Sequence, residues 1–322
     1  MCTAVTLKTE DFYFGRTLDY EYSYFEEITV IPRNFPFVFR HTQPLKKHYA
    51  IIGMAYNKGG FPLYYDATNE KGLSVAGLNF VGNAYYRDVT DEKQNIAQFE
   101  IIPYILGKCA TVDEAVELIE SINITNTPFS EDLPLAQLHW LIADRTRAVT
   151  LEATKEGLNL YENPVGVLTN NPKFPYHMQN LNNYINLSVE NPKNGFIANL
   201  KCDSKGMGAI GLPGDLSSMS RFVRAVFTRC NSVCEKTENE SVNQFFHILG
   251  SVEQTRGVNI TDDGFEITIY TSCCNATKGI YYYTTYENST INGVDMHSCD
   301  LDGEKILTHP LKASEDFKIH QL

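Results

Sequence analysis

The chain has 322 residues, 43% of them hydrophobic, and 39 acidic against 27 basic residues give a formal net charge of −12. That is enough apolar material for a sizeable core, and an acidic balance that argues against nucleic acid or an anionic membrane as a main partner. No apolar run approaches the ~18 residues of a membrane span, and the opening Met1-Cys2-Thr3-Ala4-Val5-Thr6-Leu7 lacks the basic-then-apolar layout of a secretory signal.

A cytoplasmic protein is therefore expected. Its eight cysteines (Cys2, Cys109, Cys202, Cys230, Cys234, Cys273, Cys274 and Cys299) are expected to be reduced. Without a Pro/Gly/Ser-rich linker or a repeat, residues 1–322 read as a single domain. Cys230, Cys234 and His247 come nearest to a zinc pattern, but no second histidine follows at finger spacing, so no metal is expected.

At the start of the chain, Thr3, Val5 and Leu7 alternate with Cys2, Ala4 and Thr6, as in a strand with two faces. Glu10-Asp11 is a turn signal and Phe12 to Arg16 a returning strand, so a hairpin would bring Arg16 and Asp19 beside Cys2. Cys2 has two readings. As an interior cysteine it is a small hydrophobe. If Met1 is removed, it carries a thiol and an α-amine on one residue, with reference pKa values of about 8.5 and about 7.7–8.0. An N-terminal amine is a recognised activator of a side-chain nucleophile. A nearby guanidinium favours the thiolate, and a nearby carboxylate can hold the amine.

Strands are expected at Glu27 to Pro32, Phe35 to Arg40, Ala50 to Met54 and Leu63 to Tyr65, with Asn57-Lys58-Gly59-Gly60 a loop. Asn69-Glu70-Lys71-Gly72 turns into an alternating segment from Leu73 to Phe80, which puts Asn79 at a strand end. Ile96 to Leu106 reads as a helix closed by Gly107. Thr111-Val112-Asp113-Glu114 is a capping box opening a helix whose Val112, Ala115, Val116, Leu118 and Ile119 form a core face.

Thr125 to Leu135 is a loop carrying Phe129, Leu133 and Leu135. These side chains either pack a connector or line an apolar pocket. Strands follow at Leu138 to Ala143, Ala148 to Ala153, Leu158 to Tyr161 and Val165 to Leu168, and His139 reads as a core histidine. Thr169-Asn170-Asn171-Pro172 is a turn, yet Asn170 also brings an amide donor of the kind that stabilises an oxyanion. Tyr176 to Ile185 reads as a helix. The glycine-rich stretch from Gly206 to Asp215 is no phosphate loop, because no Gly-Lys-Ser/Thr follows.

Ser217-Ser218 can cap a helix with Arg221 in its first turn. A cation there is locally unfavourable, which points to an acidic or thiolate partner or to a solvated arginine. Val242 to Val252 is a further helix. Phe265 to Ser272 and Ile280 to Tyr286 form a hairpin, with Cys273-Cys274 structural near its turn, and a strand from Ile291 to Met296 follows. Runs of strands broken by about five helices favour an α+β fold with largely antiparallel sheets.

The motifs Met1-Cys2-Thr3, Phe14-Gly15-Arg16-Thr17-Leu18-Asp19, Asn69-Glu70-Lys71-Gly72, Gly77-Leu78-Asn79-Phe80, Leu168-Thr169-Asn170-Asn171-Pro172 and Leu212-Pro213-Gly214-Asp215-Leu216-Ser217-Ser218-Met219-Ser220-Arg221-Phe222 together resemble the choloylglycine hydrolase family. The resemblance continues to Tyr281-Tyr282-Tyr283-Thr284-Thr285-Tyr286, and within the family it is most similar to the bile salt hydrolases.

It implies an N-terminal-nucleophile hydrolase with a four-layer αββα sandwich, commonly a homotetramer, needing no cofactor. Cys2 would be the nucleophile and Arg16 and Arg221 would flank its thiol. Asp19 would bond the α-amine, while the Asn170 side chain and the Asn79 backbone N–H would hold the oxyanion. The substrates implied are conjugated bile salts, with the steroid against Leu18, Tyr65, Phe129, Leu133 and Leu138. Asparagine at position 79 favours bile salts over penicillin V, whose acylases tend to have tyrosine there. A penicillin V acylase-like amidase is the alternative, and a non-catalytic steroid or acyl-amide binding protein the more distant one.

Overall fold

A computed structural model of the protein describes residues 1–201, 204–312, 314 and 319–320. In chain order the strands and helices are β1 (Cys2–Lys8), β2 (Phe12–Tyr20), β3 (Glu27–Ile31), β4 (Ile51–Lys58), β5 (Phe61–Asn69), β6 (Ser74–Asn79), β7 (Gln94–Ala97), α1 (Ile101–Lys108), α2 (Val112–Ser121), β8 (Ile122–Thr125), β9 (Leu138–Ala143), β10 (Ala148–Thr154), β11 (Gly157–Glu162), β12 (Val167–Leu168), α3 (Phe174–Asn180), α4 (Ser218–Asn231), α5 (Glu238–Gly250), β13 (Ile260–Thr261), β14 (Gly264–Phe265), β15 (Ile267–Asn275), β16 (Ile280–Thr285), β17 (Asn288–Asp295) and β18 (Leu307–Pro310).

Two antiparallel sheets dominate. The first runs β12-β1-β2-β15-β16-β17 and the second β11-β10-β9-β6-β5-β4-β3-β18. Alternation along the second sheet explains the layering. On β9, Leu141 and Ala143 join the core shared with the first sheet, whereas Trp140 and Ile142 join the core formed with α1 and α2. On the far side of the first sheet, α4 and α5 bring Phe222, Phe245, Ile248 and Leu249 into the shared core. The order helices, sheet, sheet, helices is the expected four-layer α+β arrangement. It also explains why β1 and β2 are buried almost throughout: each of their faces has a layer over it.

Several elements differ from expectation. Phe35 to Arg40 forms no strand; Phe37 makes one isolated bridge to Leu45, and Phe35, Phe37, Phe39 and Phe61 pack ring against ring. Pro36 lacks the N–H that a ladder needs. Ile96 to Leu106 is not one helix. β7 pairs in parallel with β8, a single turn follows over Gln98–Glu100, and only then does α1 begin. Gly107 lies inside α1 rather than after it, where a Cβ would come within 3.2 Å of His48 and Leu45 side chains.

Asn57 and Lys58 extend β4, and the turn falls on Gly59-Gly60, both at positive φ. Helix α3 starts two residues early and gives way at Leu181 to a tighter turn. Val165 and Gly166 stay outside the two-residue β12. β15 begins at Ile267 rather than Phe265 and continues to Asn275, so Cys273 and Cys274 lie within the strand; burial pushes the Cys274 thiol up to about 12. β17 begins at Asn288 and ends at Asp295.

The seven described cysteines are all free thiols, and Cys202 lies outside the described residues. The capping threonine of α2 accepts from Glu114 N–H as expected, while the Glu114 carboxylate takes the Ala110 N–H, one residue before the cap.

Candidate active site

The β1–β2 register sets the geometry: Cys2 pairs with Leu18, Thr3 with Thr17 and Ala4 with Arg16. Cross-strand partners share a face. Cys2, Leu18 and Arg16 therefore look toward the second sheet, and Thr3, Thr17 and Asp19 look toward α4 and α5. Gly15 makes the next pairing possible, since a Cβ there would lie 2.0 Å from the Ser272 carbonyl oxygen. β2 can thus run close along β15 at the point where Arg16 leaves the strand.

Arg16 and Arg221 are both fully buried and approach from the two sides. Arg16 donates through Nη1 to the carbonyls of Gly77 (2.5 Å) and Tyr65 (3.1 Å) on β6 and β5, and through Nε to Thr17 O (3.1 Å). Burial works against its charge, but Cys2 above all, with Tyr270, Asp66 and Asp19, outweighs that, and its pKa is held above the ordinary arginine value. Arg221, capped into α4 behind Ser217, donates to Cys2 O (2.6 Å), Thr3 Oγ1 (2.7 Å) and Asn170 Oδ1 (2.7 Å). Its burial lowers its pKa, which Asp19 and then Cys2 only partly offset. An arginine nonetheless keeps its proton in a protein. The Asp19 carboxylate lies 4.0 Å from Arg221 and accepts from Thr268 (2.7 Å) and Thr17 (3.1 Å).

Asn170 joins these parts. Its side-chain oxygen accepts from Cys2 N–H (2.9 Å) as well as from Arg221, and its Nδ2 donates to Asn79 O (2.8 Å). Its own N–H donates to Ser218 Oγ (2.8 Å), and His177 Nε2 donates to its carbonyl (2.9 Å). Burial drives the His177 pKa down to about 4, so the ring is neutral. A primary amide has two N–H groups, so Asn170 can bind Asn79 with one and still offer a donor toward Cys2. His139 is a core residue as expected, with no exposed surface, between Thr169 O and Glu152.

The terminal amine of the chain carrying Met1 has its own partners. In the full chain it belongs to Met1, one residue further out, where it donates to the Asp19 carbonyl (2.7 Å) and pairs with the Glu266 carboxylate. The α-amine expected to bond Asp19 is that of Cys2, which in the chain carrying Met1 is an amide N–H. Glu266 is buried and also accepts from Asn259 (2.6 Å). Its setting between Phe265 and Ile267 in an expected strand gave no signal for this position.

Beside Cys2 opens a cavity of about 410 Å³. Leu18, Tyr65, Phe129, Leu133 and Leu138 all line it, together with Asn79. The loop residues Phe129, Leu133 and Leu135 all border this cavity. Arg40 tethers the loop by donating to Phe129 O (2.7 Å) while lying over the Phe99 and Phe129 rings. Sequence reading missed Tyr20, Tyr24, Tyr56, Leu63, Gln98 and Phe99, which also line the cavity. Tyr20 was within reach, because it follows Leu18 at the strand period of two. Gln98 and Phe99 were hidden by the assignment of one long helix. Among the described residues no group of three or more His, Cys, Asp or Glu side chains could hold a metal ion, and no helix is long and apolar enough to cross a membrane.

The pattern of the linear amide C–N hydrolases, choloylglycine hydrolase family, matches residues 2–309. The chain is 52% identical to a bile salt hydrolase/transferase of Lactiplantibacillus plantarum over 320 residues, covering 98% of this chain and 99% of that one. A crystal structure of the C2A mutant of conjugated bile acid hydrolase from Clostridium perfringens superposes with a TM-score of 0.93 at 37% identity, each chain covered completely. Penicillin V acylase from Agrobacterium tumefaciens superposes at 0.77 with 20% identity, over 97% of this chain and 92% of the other, a likeness of fold alone. Motif order, fold and near-complete coverage agree, and the chain belongs to the choloylglycine hydrolase family, amide hydrolases acting on C–N bonds other than peptide bonds.

Proposed function

We propose that this enzyme hydrolyses the amide of glycine- or taurine-conjugated bile salts, with Cys2 as nucleophile. The observation that carries the reading is the single cavity wall on which Cys2, Arg16 and Asn79 meet Leu18, Tyr65, Phe129, Leu133 and Leu138. A polar reacting end continuous with an apolar chamber suits an amide joined to a large hydrocarbon acyl group. The relative from Lactiplantibacillus plantarum, matched over almost its full length, carries that activity in its name.

In the proposed reaction Met1 is first removed, and the nitrogen that now donates to Asn170 becomes the α-amine. The Cys2 thiol gives its proton to this amine, and the thiolate, favoured by Arg16 and Arg221, attacks the amide carbon. The oxyanion is held by Asn170 Nδ2–H and Asn79 N–H; one such donor contributes about 2.7–4 kcal/mol. The α-ammonium returns its proton to the departing nitrogen as the C–N bond breaks, which releases glycine or taurine and leaves a thioester. Water, deprotonated by the neutral amine, cleaves the thioester to the free bile acid. Asp19 sits behind the amine as the counter-charge of Arg221. The same proposal includes a cytoplasmic homotetramer of the 36.4 kDa chain, which light scattering on the purified protein tests.

The intact mass before and after incubation with glycocholate, with glycine assayed alongside, tests the chemistry. Loss of Met1 with glycine release supports it. Loss of Met1 with release from phenoxymethylpenicillin alone would move the assignment to a penicillin V acylase-like amidase. Binding without turnover in the Met1-free chain would leave a steroid-binding protein.

A further inference from the structure

The cavity has a far end as well as a reacting end. Tyr65, whose carbonyl meets Arg16, lies on β5, and the strand leads away from it through Leu63 to Phe61. At ~3.3 Å per residue Phe61 lies roughly 13 Å along the strand from Tyr65. The Phe61 ring lies 5.7 Å from that of Phe99, and Phe99 lies 5.1 Å from Phe129. This end is mainly aromatic and aliphatic, with Arg40 laid over the Phe99 and Phe129 rings. Gln98, adjacent to Phe99, lines the cavity, is only 3% exposed, and its amide oxygen has no hydrogen-bond partner among the described residues.

A buried amide oxygen without a partner is unfavourable, because its desolvation is not offset. Nor is Gln98 on a yielding segment. It opens the turn Gln98–Glu100, whose buried Glu100 carboxylate accepts the Ala97 N–H (2.9 Å) and the Arg40 N–H (2.7 Å). A fixed amide among rings, able both to donate and to accept, is suited to a hydroxyl group on an otherwise apolar ligand.

We infer that Gln98 is a specificity-determining residue that hydrogen-bonds a ring hydroxyl of the substrate's fused-ring body, so that the enzyme distinguishes hydroxylated steroid amides from unhydroxylated ones. This rests on the bile salt reading above. A site that pairs a substrate hydroxyl discriminates against the analogue lacking it, since its own polar group is then left unpaired.

The test uses Gln98→Leu and, as a second variant retaining side-chain length without the amide, Gln98→Met, in the Met1-free enzyme with melting temperatures recorded. Glycine release is followed on glycocholate, glycodeoxycholate, glycochenodeoxycholate, glycolithocholate and the glycine conjugate of unhydroxylated cholanoic acid. Both variants are expected to lose about three- to tenfold in kcat/KM, mostly through KM, on the conjugates bearing the hydroxyl that Gln98 meets. They should equal or exceed the wild type on the unhydroxylated conjugate. An equal loss on all five conjugates, or no loss on any, overturns the inference while leaving the bile salt reading intact. Failure of the wild type itself on every conjugate overturns the bile salt reading and this inference with it.

Discussion

At the Cys2 end of the cavity, Asn170 alone takes part in five hydrogen bonds, and Arg16 and Arg221 each spread their charge over carbonyls and side chains of other elements. At the Phe99–Phe129 end, contacts are mostly ring on ring with the Arg40 guanidinium laid over them, and one amide oxygen has no partner. The first region permits one arrangement, because moving any member leaves a buried polar group unsatisfied. The second can exchange one hydrocarbon for another at small cost. On the proposed function, chemistry would thereby be uncoupled from the choice of acyl group.

The sharpest way to break this comparison is at the proposed nucleophile, Cys2. Cys2→Ser should keep the fold and lose at least about a thousandfold in kcat, as removal of a nucleophile does elsewhere. Wild-type turnover with an unchanged melting curve would remove Cys2 from its role. Next comes Arg221→Met, which leaves Asn170, Thr3, Cys2 O and Asp19 without their cation. Loss of one partner from such a buried network is expected to cost about 3–5 kcal/mol of unfolding free energy, together with turnover. A urea midpoint equal to wild type would show that the region is not over-determined.

A third experiment sharpens the same point through pH. His177 is held neutral in the fold, with its pKa down to about 4 against the usual 6.5. Between those values the unfolded chain binds a proton that the folded chain does not, so falling pH weakens the fold. By pH 5 this amounts to about 2 kcal/mol. His177→Gln should lose that part of the difference between urea titrations at pH 7 and pH 5, and an unchanged difference would overturn the assignment. The smallest effect is expected at the other end. Phe129→Ala should raise KM a few-fold, leave kcat within about threefold, and cost roughly 1–2 kcal/mol for a half-buried ring. A collapse of kcat on glycocholate would show that the two regions are coupled after all.

How far the sequence could be read follows the same division. The hairpin with Cys2, Arg16 and Asp19 was legible because strand period and turn chemistry are local, and the order of separated motifs carried Asn79, Asn170 and Arg221. The far wall was less legible. Gln98 and Phe99 sit on a short turn between β7 and α1 that an apolar run of eleven residues conceals, and Tyr24 and Tyr56 reach the cavity from outside any one motif. Phe35 to Arg40 satisfied strand propensity, but Pro36 and the ring cluster favoured irregular packing over a ladder. The partner of the amine, Glu266, stands 265 positions from Met1 and no local pattern announces it.

The hydrogen bonds around Cys2 also differ in how much chain must close before they form. Cys2, Arg16 and Asp19 meet across a hairpin whose turn is residues 9–11, whereas the bonds from Cys2 to Asn170 and to Arg221 span 168 and 219 positions. Short loops close early and long ones late. During synthesis the thiol and its first arginine are therefore neighbours long before α4 exists to cover them. A ribosome-bound or stalled chain would leave the Cys2 thiol open to oxidants, at the head of the sulfenic and sulfinic ladder, before the residues that cover it are made.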